Sequence, residues 1–364
     1  MRASRAADEI GVVIHGPEVV DSGCAKRALD LLERVGAVTA VLGGTMGRVA
    51  VIDADLEDRI DISRRETPSR SVRRLEPDVE MVILLNLAKT RETGLVFGAM
   101  VAERAEPKKP LMLADFGGGF LSVLAKDPGP LAEKIARLLD LELLAAPELQ
   151  PRTETSGRMV RRKILGAVPG ENVSVNGAVV AKALAETVEI TAVDGEIIEI
   201  SGALVKAHGL EKLSSVDLLT AILRTGEIRR TENLPRSIQT QGCDAAVIDH
   251  SAEDAFEEAR GAMVAVTVGD DTTAIAGEVL ARLGTPLVGI VDGDPDHLCA
   301  RTTIPARSVV FEVRPGTDDL VGRRVREEIF GGEGRISMNG LSIEDLVERI
   351  KKIAGDDLRS ERRF

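Results

Sequence analysis

The sequence predicts an α/β protein with two Rossmann-like parallel-sheet units and a small β-rich insert between them. Two observations support this fold class. In both halves of the chain, short apolar runs rich in Val and Ile alternate with stretches of helical periodicity, a pattern typical of parallel sheets. Between the halves, β-rich runs follow one another closely, and Asp194-Gly195 is a good signal for a hairpin turn.

The 364 residues suffice for two or three domains, and changes in composition suggest the boundaries. Residues 1–146 are predicted to form a Rossmann-like α/β domain, and residues 147–235 a linker with a small β-rich domain. Residues 236–335 are predicted to form a second α/β domain with Asp-rich strand ends. Residues 336–364 supply a C-terminal helix and a tail, of which residues 357–363 are expected to fray.

In the first domain, a buried strand at Glu9–Ile14 is predicted to lead into a helix that Asp21-Ser22 caps and Gly36 closes. The strands of this domain end in glycine or small polar residues, which is where ligands approach the backbone of an open α/β sheet. The polar, Arg-rich stretch after residue 62 is interpreted as a connection. The other elements are strands at 37–42, 59–62, 79–85 and 110–113, and helices ending near residues 104 and 139.

Two groups of residues at these strand ends are candidates for binding phosphate. A glycine-rich loop could nest an anion against backbone N–H groups, although a tight turn with positive φ explains the same glycines. The N-terminus of a helix attracts anions, whereas the alternative there is solvated charges that pair with Glu92 and Glu103. The candidates are Gly43, Gly44, Thr45 and Arg48 in the loop, and Lys89, Thr90, Arg91 and Thr93 before the helix.

His15 follows the first predicted strand and is the candidate catalytic residue. Imidazole changes charge near neutral pH, so His15 could act as a general acid or base, with Glu18 as its partner. The alternative is a hydrogen-bonded turn residue without a role in chemistry.

The β-rich insert is predicted to contain strands at 173–177, 187–193 and 197–200. The basic run at 158–163, which precedes them, is assigned to the linker. After the strands, apolar residues at helical spacing predict a helix that Gly226 ends. These apolar residues are Val216, Leu219, Ile222 and Leu223.

A strand–helix–strand unit dominates the last α/β domain. Its strands are Met263–Val268 and Pro286–Val291, and Thr272 or Thr273 is predicted to cap the helix between them, Thr273–Leu283. Such a crossover makes the two strands parallel, so both end at the same rim of the sheet. The remaining elements are strands at 245–248 and 308–313 and helices at 252–260, 320–330 and 342–354.

Aspartates follow both strands of this unit and are therefore expected to meet at one carboxyl edge. Clustered carboxylates repel one another and raise each other's pKa, and a hard cation such as Mg²⁺ relieves that repulsion while carrying substrate phosphates. The alternative is a solvated acidic loop on an acidic protein. The predicted metal ligands are Asp270, Asp271, Asp292 and Asp294.

Composition limits the classes of partner. A net charge of −12 and the lack of Trp and Tyr disfavour nucleic acid as a ligand, because phosphate backbones need a basic face and bases need aromatic platforms. No apolar run reaches membrane-spanning length, and the Arg-bearing N-terminus lacks the apolar core of a signal peptide, so a cytoplasmic protein is expected. The 3 cysteines give neither a disulfide framework nor a zinc pattern.

Several of these motifs together resemble an archaeal family catalogued as a domain of unknown function, number 2117, which occurs mainly in methanogens. The resemblance covers nearly the whole chain and implies a methanogenic archaeal source. It implies no activity and supplies no catalytic residues to transfer. The motifs that carry it are Ile14-His15-Gly16-Pro17-Glu18, Leu42-Gly43-Gly44-Thr45-Met46-Gly47-Arg48, Lys89-Thr90-Arg91-Glu92-Thr93-Gly94, Gly269-Asp270-Asp271-Thr272-Thr273 and Asp292-Gly293-Asp294.

The leading functional hypothesis is a Mg²⁺-dependent enzyme acting on a phosphorylated small molecule or nucleotide. It rests on complementary charge, since the first domain offers basic and hydroxyl groups and the third offers carboxylates. The alternative is a non-catalytic ligand-binding or assembly protein in methanogen cofactor metabolism. A nicotinamide-dependent redox enzyme is disfavoured because the G-x-G-x-x-G fingerprint is absent. A homo-oligomer is compatible with the sequence.

Overall fold

The computed structural model describes residues 9–44, 47–145, 153–176, 178–211, 213, 215–225, 236–238, 242–249, 252–293 and 303–364. The chain forms two compact units, residues 1–51 with 56–232 and residues 52–55 with 233–364. The α/β fold class predicted from the sequence is confirmed, because two large sheets with parallel strands occur beside two antiparallel sheets. Among the described residues, no helix combines the length and apolar character that crossing a bilayer requires.

The first unit is built on a sheet of seven strands in the order β3-β2-β1-β4-β5-β6-β7. Strands β1 to β5 are parallel to one another, while β6 runs antiparallel to β5. The strand order reverses between β1 and β4, and this reversal is the topological switch point at which such sheets bind ligands. The strands are β1 Glu9–Ile14, β2 Ala37–Leu42, β3 Ile60–Asp61, β4 Met81–Asn86, β5 Leu111–Asp115, β6 Phe120–Ala125 and β7 Glu142–Leu144.

The helices between these strands differ from the prediction at two places. The longer of the two helices between β1 and β2 begins at Cys24. Its N-cap is Gly23, which has a left-handed conformation, so the predicted cap by Asp21-Ser22 is wrong. The Arg-rich stretch that was interpreted as a connection contains a helix that buries Ser69, Ser71, Val72 and Leu75. Because two of these buried residues are serines, the sequence shows no clear apolar stripe at helical spacing. The helices are α1 Glu18–Asp21, α2 Cys24–Leu32, α3 Arg48–Asp53, α4 Pro68–Leu75, α5 Arg91–Ala105 and α6 Pro130–Leu139.

The β-rich segment belongs to the first unit and forms two four-stranded antiparallel sheets. Their orders are β13-β12-β9-β8 and β14-β11-β10-β15, and their apolar faces share a core that includes Val173, Val180 and Ile190. The predicted turn at Asp194-Gly195 is confirmed, with both residues at positive φ between β12 and β13. The elements are β8 Thr153–Ser156, β9 Met159–Leu165, β10 Asn172–Val175, β11 Ala178–Ala183, β12 Thr187–Val193, β13 Glu196–Ser201, β14 Ala203–Val205, α7 Ala207–Glu211 and β15 Leu223–Thr225.

The helix predicted over Val216 to Leu223 is wrong. Leu223 begins strand β15, and the Asp217 carboxylate accepts the N–H of Leu219 at 3.0 Å in a local turn. Asp side chains offer the backbone such an alternative to helix, and here the turn leaves Leu219 53% exposed. The basic run assigned to the linker lies in β9, where the Arg162 guanidinium donates to the carbonyls of Leu218 and Ala221.

The second unit contains a sheet of six strands in the order β20-β16-β17-β18-β19-β21. The four central strands are parallel and follow chain order, and the two edge strands are antiparallel to them. The strands are β16 Asp244–Asp249, β17 Ala262–Val268, β18 Leu287–Val291, β19 Val309–Val313, β20 Arg335–Ser337 and β21 Leu358–Arg363. The helices are α8 Ala255–Ala259, α9 Asp270–Leu283, α10 Asp318–Glu328 and α11 Ile343–Ala354.

Helices α9 and α10 pack on opposite faces of this sheet. A methyl group on Gly289 would lie 2.9 Å from Thr273 of α9, and one on Gly322 of α10 would lie 2.5 Å from Val268. Thr267 of β17 hydrogen-bonds Thr273 of α9, whereas the next residue of the strand, Val268, lies next to α10. Because successive strand residues point to opposite faces of a sheet, the two helices lie on opposite faces. Each helix therefore approaches the sheet closely where a side chain is missing.

The predicted cap of α9 is wrong. The helix begins at Asp270, directly after Gly269 at φ +96°, so Thr272 and Thr273 lie within its first turn and are buried. The Thr273 hydroxyl lies 2.8 Å from that of Thr267 on β17. A buried hydroxyl is satisfied there by the sheet instead of by the orphan N–H groups of the helix.

The C-terminal tail is ordered, and the expectation that it frays is wrong. Residues 358–363 form β21, which pairs antiparallel with β19 and places Glu361 opposite Phe311. Lys351 of α11 bonds Glu361 at 2.7 Å. The charged sequence suggested a solvated end, but an edge strand obtains its stability from backbone hydrogen bonds and tolerates charged side chains.

Truncation tests the role of β21. Removing residues 358–364 should lower the thermal midpoint of the second unit by several degrees, at about 4 °C for each kcal/mol lost, because β19 then loses its neighbour. Arg359→Ala, a change at an exposed position on the same strand, should leave the midpoint unchanged within about 1 °C. Equal midpoints for the truncated and intact chains, measured by calorimetry, would contradict the strand.

Candidate functional site

Three aspartates converge at the carboxyl edge of the second sheet. Asp270 is the first residue of α9, Asp292 directly follows β18, and Asp318 is the first residue of α10. Their carboxylate oxygens lie within 4.8 Å of one another, and each residue is partly buried. We refer to Asp270, Asp292 and Asp318 as the acidic triad.

The fold explains why these residues meet. Strands β17, β18 and β19 are parallel neighbours, so the segments that leave them emerge at one edge. Helix α9 starts on one face of the sheet and α10 on the other, and the end of β18 lies between them in strand order. One carboxylate therefore comes from each of three successive strand exits.

Backbone groups hold two of the carboxylates in place. The N–H of Asp292 donates to Oδ2 of Asp270 at 3.1 Å, and the N–H of Gly316 donates to Oδ2 of Asp292 at 2.7 Å. Gly293 follows at φ +80°, where a side chain would be strained and would lie 3.1 Å from the Glu312 carboxylate. The loop after β18 is thus shaped to present Asp292 toward Asp270.

The environment raises the pKa of Asp270 from 3.8 to about 7. Burial is the largest cause, followed by a hydrogen bond shared with the Asp292 carboxyl and repulsion from the charges of Asp292 and Asp318. The partial positive charges at the N-termini of α9 and α10 favour carboxylates, but they do not cancel these effects. At neutral pH Asp270 is therefore near the midpoint of its titration, and a divalent cation that bound the triad would displace its proton.

The sequence identified part of this triad. Asp270 and Asp292 were predicted ligands and come together, whereas Asp271 is not a member of the cluster found among the described residues. Asp294 lies outside the described residues. Asp318 was missed because it lies just before the helix predicted at 320–330, where acidic residues are common, although an acidic residue soon after a predicted strand is the signal that identified Asp292.

The donor set of the triad fits a hard cation. Three carboxylates supply only oxygen ligands and leave room for waters or substrate oxygens, which is the usual environment of Mg²⁺. With octahedral metal–oxygen bonds of about 2.1 Å, neighbouring oxygens around Mg²⁺ lie roughly 3.0 Å apart and opposite oxygens roughly 4.2 Å apart. The three carboxylate oxygens, which lie within 4.8 Å of one another, would therefore move closer together to bind one ion.

The predicted phosphate-binding residues around the start of α5 have partners inside the first unit. Lys89 Nζ lies 2.5 Å from the carboxylate of Glu171, which is largely buried, and Arg91 lies 2.6 Å from that of Glu142. The Thr90 and Thr93 side chains form a capping box at the start of α5. The predicted alternative of pairing with Glu92 and Glu103 does not describe these two contacts, and phosphate binding here stays a prediction.

The glycine-rich loop after β2 also directs its donors into the protein. Gly43 donates its N–H to Ile14 at 2.8 Å, and Gly44, at φ +108°, donates to Glu66 at 2.7 Å. Arg48 is buried, with 1% of its surface exposed. Thr45 lies outside the described residues, and the anion nest predicted at this loop stays a prediction.

His15 lies at the end of β1, beside the switch point of the first sheet. Its Nδ1 is 2.9 Å from Oδ1 of Asn86, and its ring stacks on Phe97 with centroids 4.1 Å apart. Burial lowers the pKa of His15 to about 4, and the charge of Arg224 contributes to the same direction. The ring is therefore neutral at pH 7, which makes it a hydrogen-bond acceptor but a weak base.

Asn86 and Asp115 complete this arrangement and were missed in the sequence. The Asn86 amide donates to Oδ2 of Asp115 at 2.6 Å, and Asp115 also accepts the N–H of Gly118 at 2.7 Å. Both residues are buried at the ends of β4 and β5. Their positions after apolar strands were the available signal, but nothing in the sequence linked them to His15.

Comparisons with known proteins agree on an archaeal family. The family model described as "Uncharacterized protein conserved in archaea (DUF2117)" matches residues 12–333. An uncharacterised protein of Methanocaldococcus jannaschii is 39% identical over 362 residues, covering 96% of this chain and 97% of the relative. A solved structure, the GsuK channel bound to NAD, aligns with 90% of this chain and 66% of its own at 11% identity, and its TM-score of 0.19 carries no structural argument.

The raised pKa of Asp270 predicts how stability depends on pH. The folded chain holds a proton that the unfolded chain releases, so this stabilisation is complete below pH 3.8 and is lost as the pH rises toward about 7. The thermal midpoint of the second unit should therefore decrease as the pH rises from 5 to 8. Asp270→Asn should make that midpoint less dependent on pH. Asp271→Asn, one residue further along α9, is the matched control, and an identical pH profile for both variants would contradict the assignment.

The pair of Lys89 and Glu171 predicts a stability effect in the first unit. Their side chains are 18% and 9% exposed, so Lys89→Met leaves a largely buried carboxylate without its cation and should cost about 3 kcal/mol in the free energy of unfolding. Adding Glu171→Gln should recover part of that loss in a double-mutant cycle. Additive effects in chemical denaturation would show that the two side chains do not interact.

Proposed function

Because this chain belongs to the archaeal family DUF2117, whose description names no activity, we propose from its own geometry a Mg²⁺-dependent enzyme that acts on a phosphorylated small molecule or nucleotide. The observation that carries the proposal is the acidic triad, in which three carboxylate oxygens lie within 4.8 Å at the carboxyl edge of a parallel sheet. Open α/β sheets bind their ligands at that edge. Carboxylates at such spacing repel one another, and this repulsion favours a cation.

The residues of the triad have distinct roles in this proposal. Asp292 would be the most fixed ligand, since the Gly316 N–H orients its carboxylate. Asp270 would release its proton when the cation arrives, because its pKa of about 7 reflects burial and the neighbouring carboxyl groups. Asp318 would complete the set from the opposite face of the sheet. A bound Mg²⁺ would supply neutralisation and positioning of a substrate phosphate, which is most of what phosphoryl chemistry requires.

A second candidate function is a non-catalytic ligand-binding or assembly protein in methanogen cofactor metabolism. The observation that favours it is the pairing of Lys89 with Glu171 and of Arg91 with Glu142, which commits two predicted phosphate-binding cations to internal contacts. In that case the triad would bind a cationic or hydroxyl-rich organic ligand without turnover. Purification of a stable complex with a partner, together with stability that does not depend on metal, would support this candidate.

Calorimetric titration with MgCl₂ at pH 8 tests the proposal. The intact chain should bind Mg²⁺, and Asp270→Asn, Asp292→Asn and Asp318→Asn should each weaken binding by about 100-fold or more, because each removes a charged oxygen ligand. The affinity should fall between pH 8 and pH 6, as Asp270 becomes protonated.

Asp271→Asn is the matched control and should retain the affinity of the intact chain. A nucleoside triphosphate should raise the thermal midpoint of the intact chain further when Mg²⁺ is present, but not that of Asp292→Asn. Undetectable Mg²⁺ binding, or equal loss in Asp271→Asn and Asp292→Asn, would refute the proposed function.

A further inference from the structure

A second polar arrangement, independent of the acidic triad, lies at the switch point of the first sheet. His15 leaves β1 and Asn86 ends β4, and these are the two strands between which the strand order reverses. Asp115 ends β5, the next strand along. The three side chains form a continuous series of hydrogen bonds from a buried carboxylate to a partly exposed imidazole.

This series determines how His15 presents its two ring nitrogens. Asp115 accepts N–H groups from the backbones of Ala88 and Gly118 as well as from the Asn86 side chain. Because the Asn86 NH₂ group is directed to Asp115, its carbonyl oxygen must face His15. An oxygen can only accept, so Nδ1 of His15 carries the proton and Nε2 keeps its lone pair.

The surroundings hold the imidazole in place and keep it neutral. Its ring stacks nearly parallel on Phe97, at 16° between the planes. Burial and the charge of Arg224 on β15 disfavour an imidazolium, while the hydrogen bond with Asn86 links the ring to Asp115. In the same loop, the Glu18 carboxylate lies 3.0 Å from the position that a methyl group on Gly16 would occupy. The loop after β1 therefore carries a carboxylate as well as the neutral ring of His15, and both groups accept hydrogen bonds from donors.

We propose that Asp115 and Asn86 are positioning residues that fix Nε2 of His15 as an acceptor for a neutral, hydroxyl-bearing ligand, such as a ribose ring, at the switch point of the first sheet. Sheets of this strand order bind nucleotide moieties at the switch point, and sugar hydroxyls are the donors that such acceptors recognise. The inference does not depend on the acidic triad, because every residue that carries it belongs to the first unit.

Nitrogen-15 NMR of the full chain tests the positioning role. Long-range proton–nitrogen spectra should show that Nδ1 of His15 is protonated and Nε2 is not, and that the ring resists protonation until about pH 4. The chain has 4 histidines, and assignment by His15→Gln identifies this ring among them. A proton on Nε2 in the intact chain would overturn the proposal without any variant.

The variant Asp115→Asn separates positioning from a merely structural role. Its amide can donate to Asn86, which allows the Asn86 side chain to flip, so His15 should become a mixture of tautomers. Asp58→Asn, which alters an exposed carboxylate of the same unit, should leave the tautomer unchanged. An unchanged single tautomer in folded Asp115→Asn would overturn the positioning role.

Titration with adenosine and with inorganic phosphate tests the ligand class. Millimolar adenosine should shift the Nε2 resonance of His15, and Asp115→Asn should weaken that binding about tenfold, the effect of one misdirected hydrogen bond. Inorganic phosphate should leave the resonance in place. A shift with phosphate alone, or no shift with either compound, would overturn the assignment of a hydroxyl-bearing ligand.

Discussion

Parallel strand pairing determines where polar chemistry is found in this protein. Strands that run in the same direction must all end at one edge, so residues far apart in the sequence, such as Asp270 and Asp318, meet without a long connection. The same constraint brings His15, Asn86 and Asp115 together in the first unit. In both sheets the apolar strand interiors provide stability, and the strand exits are free to carry polar side chains.

The two edges use buried carboxylates in opposite ways. Asp115 receives several N–H groups, which offset part of the pKa increase that burial causes and give it a structural task. Asp270 accepts the N–H of Asp292 and lies beside two other carboxylates, which together with burial raise its pKa. A carboxylate that is surrounded by hydrogen-bond donors orients its neighbours, whereas carboxylates that lie beside one another repel and attract a cation. This difference is the reason that the cation is proposed for the second sheet.

The sequence was most informative where one physical signal dominated. Strands such as Glu9–Ile14 and Ala37–Leu42 were predicted to the residue, because a largely apolar run of this length permits few other structures. The membership of Asp270 and Asp292 in one cluster followed from the crossover rule. Where two signals competed, prediction failed: Asp217 supports a local turn that overrides helical spacing, and the ladder with β19 orders a tail that its charges suggested would fray.

The antiparallel strand β21 has a consequence for how copies of this chain meet. A parallel sheet whose last strand was β19 would present a bare row of backbone donors and acceptors, a template for pairing with another molecule. The final residues cover that row with a strand rich in arginine, whose outer edge discourages further strand addition. Residues 358–363 thus protect the edge of β19, and without them two copies of this chain could pair strand to strand at that edge.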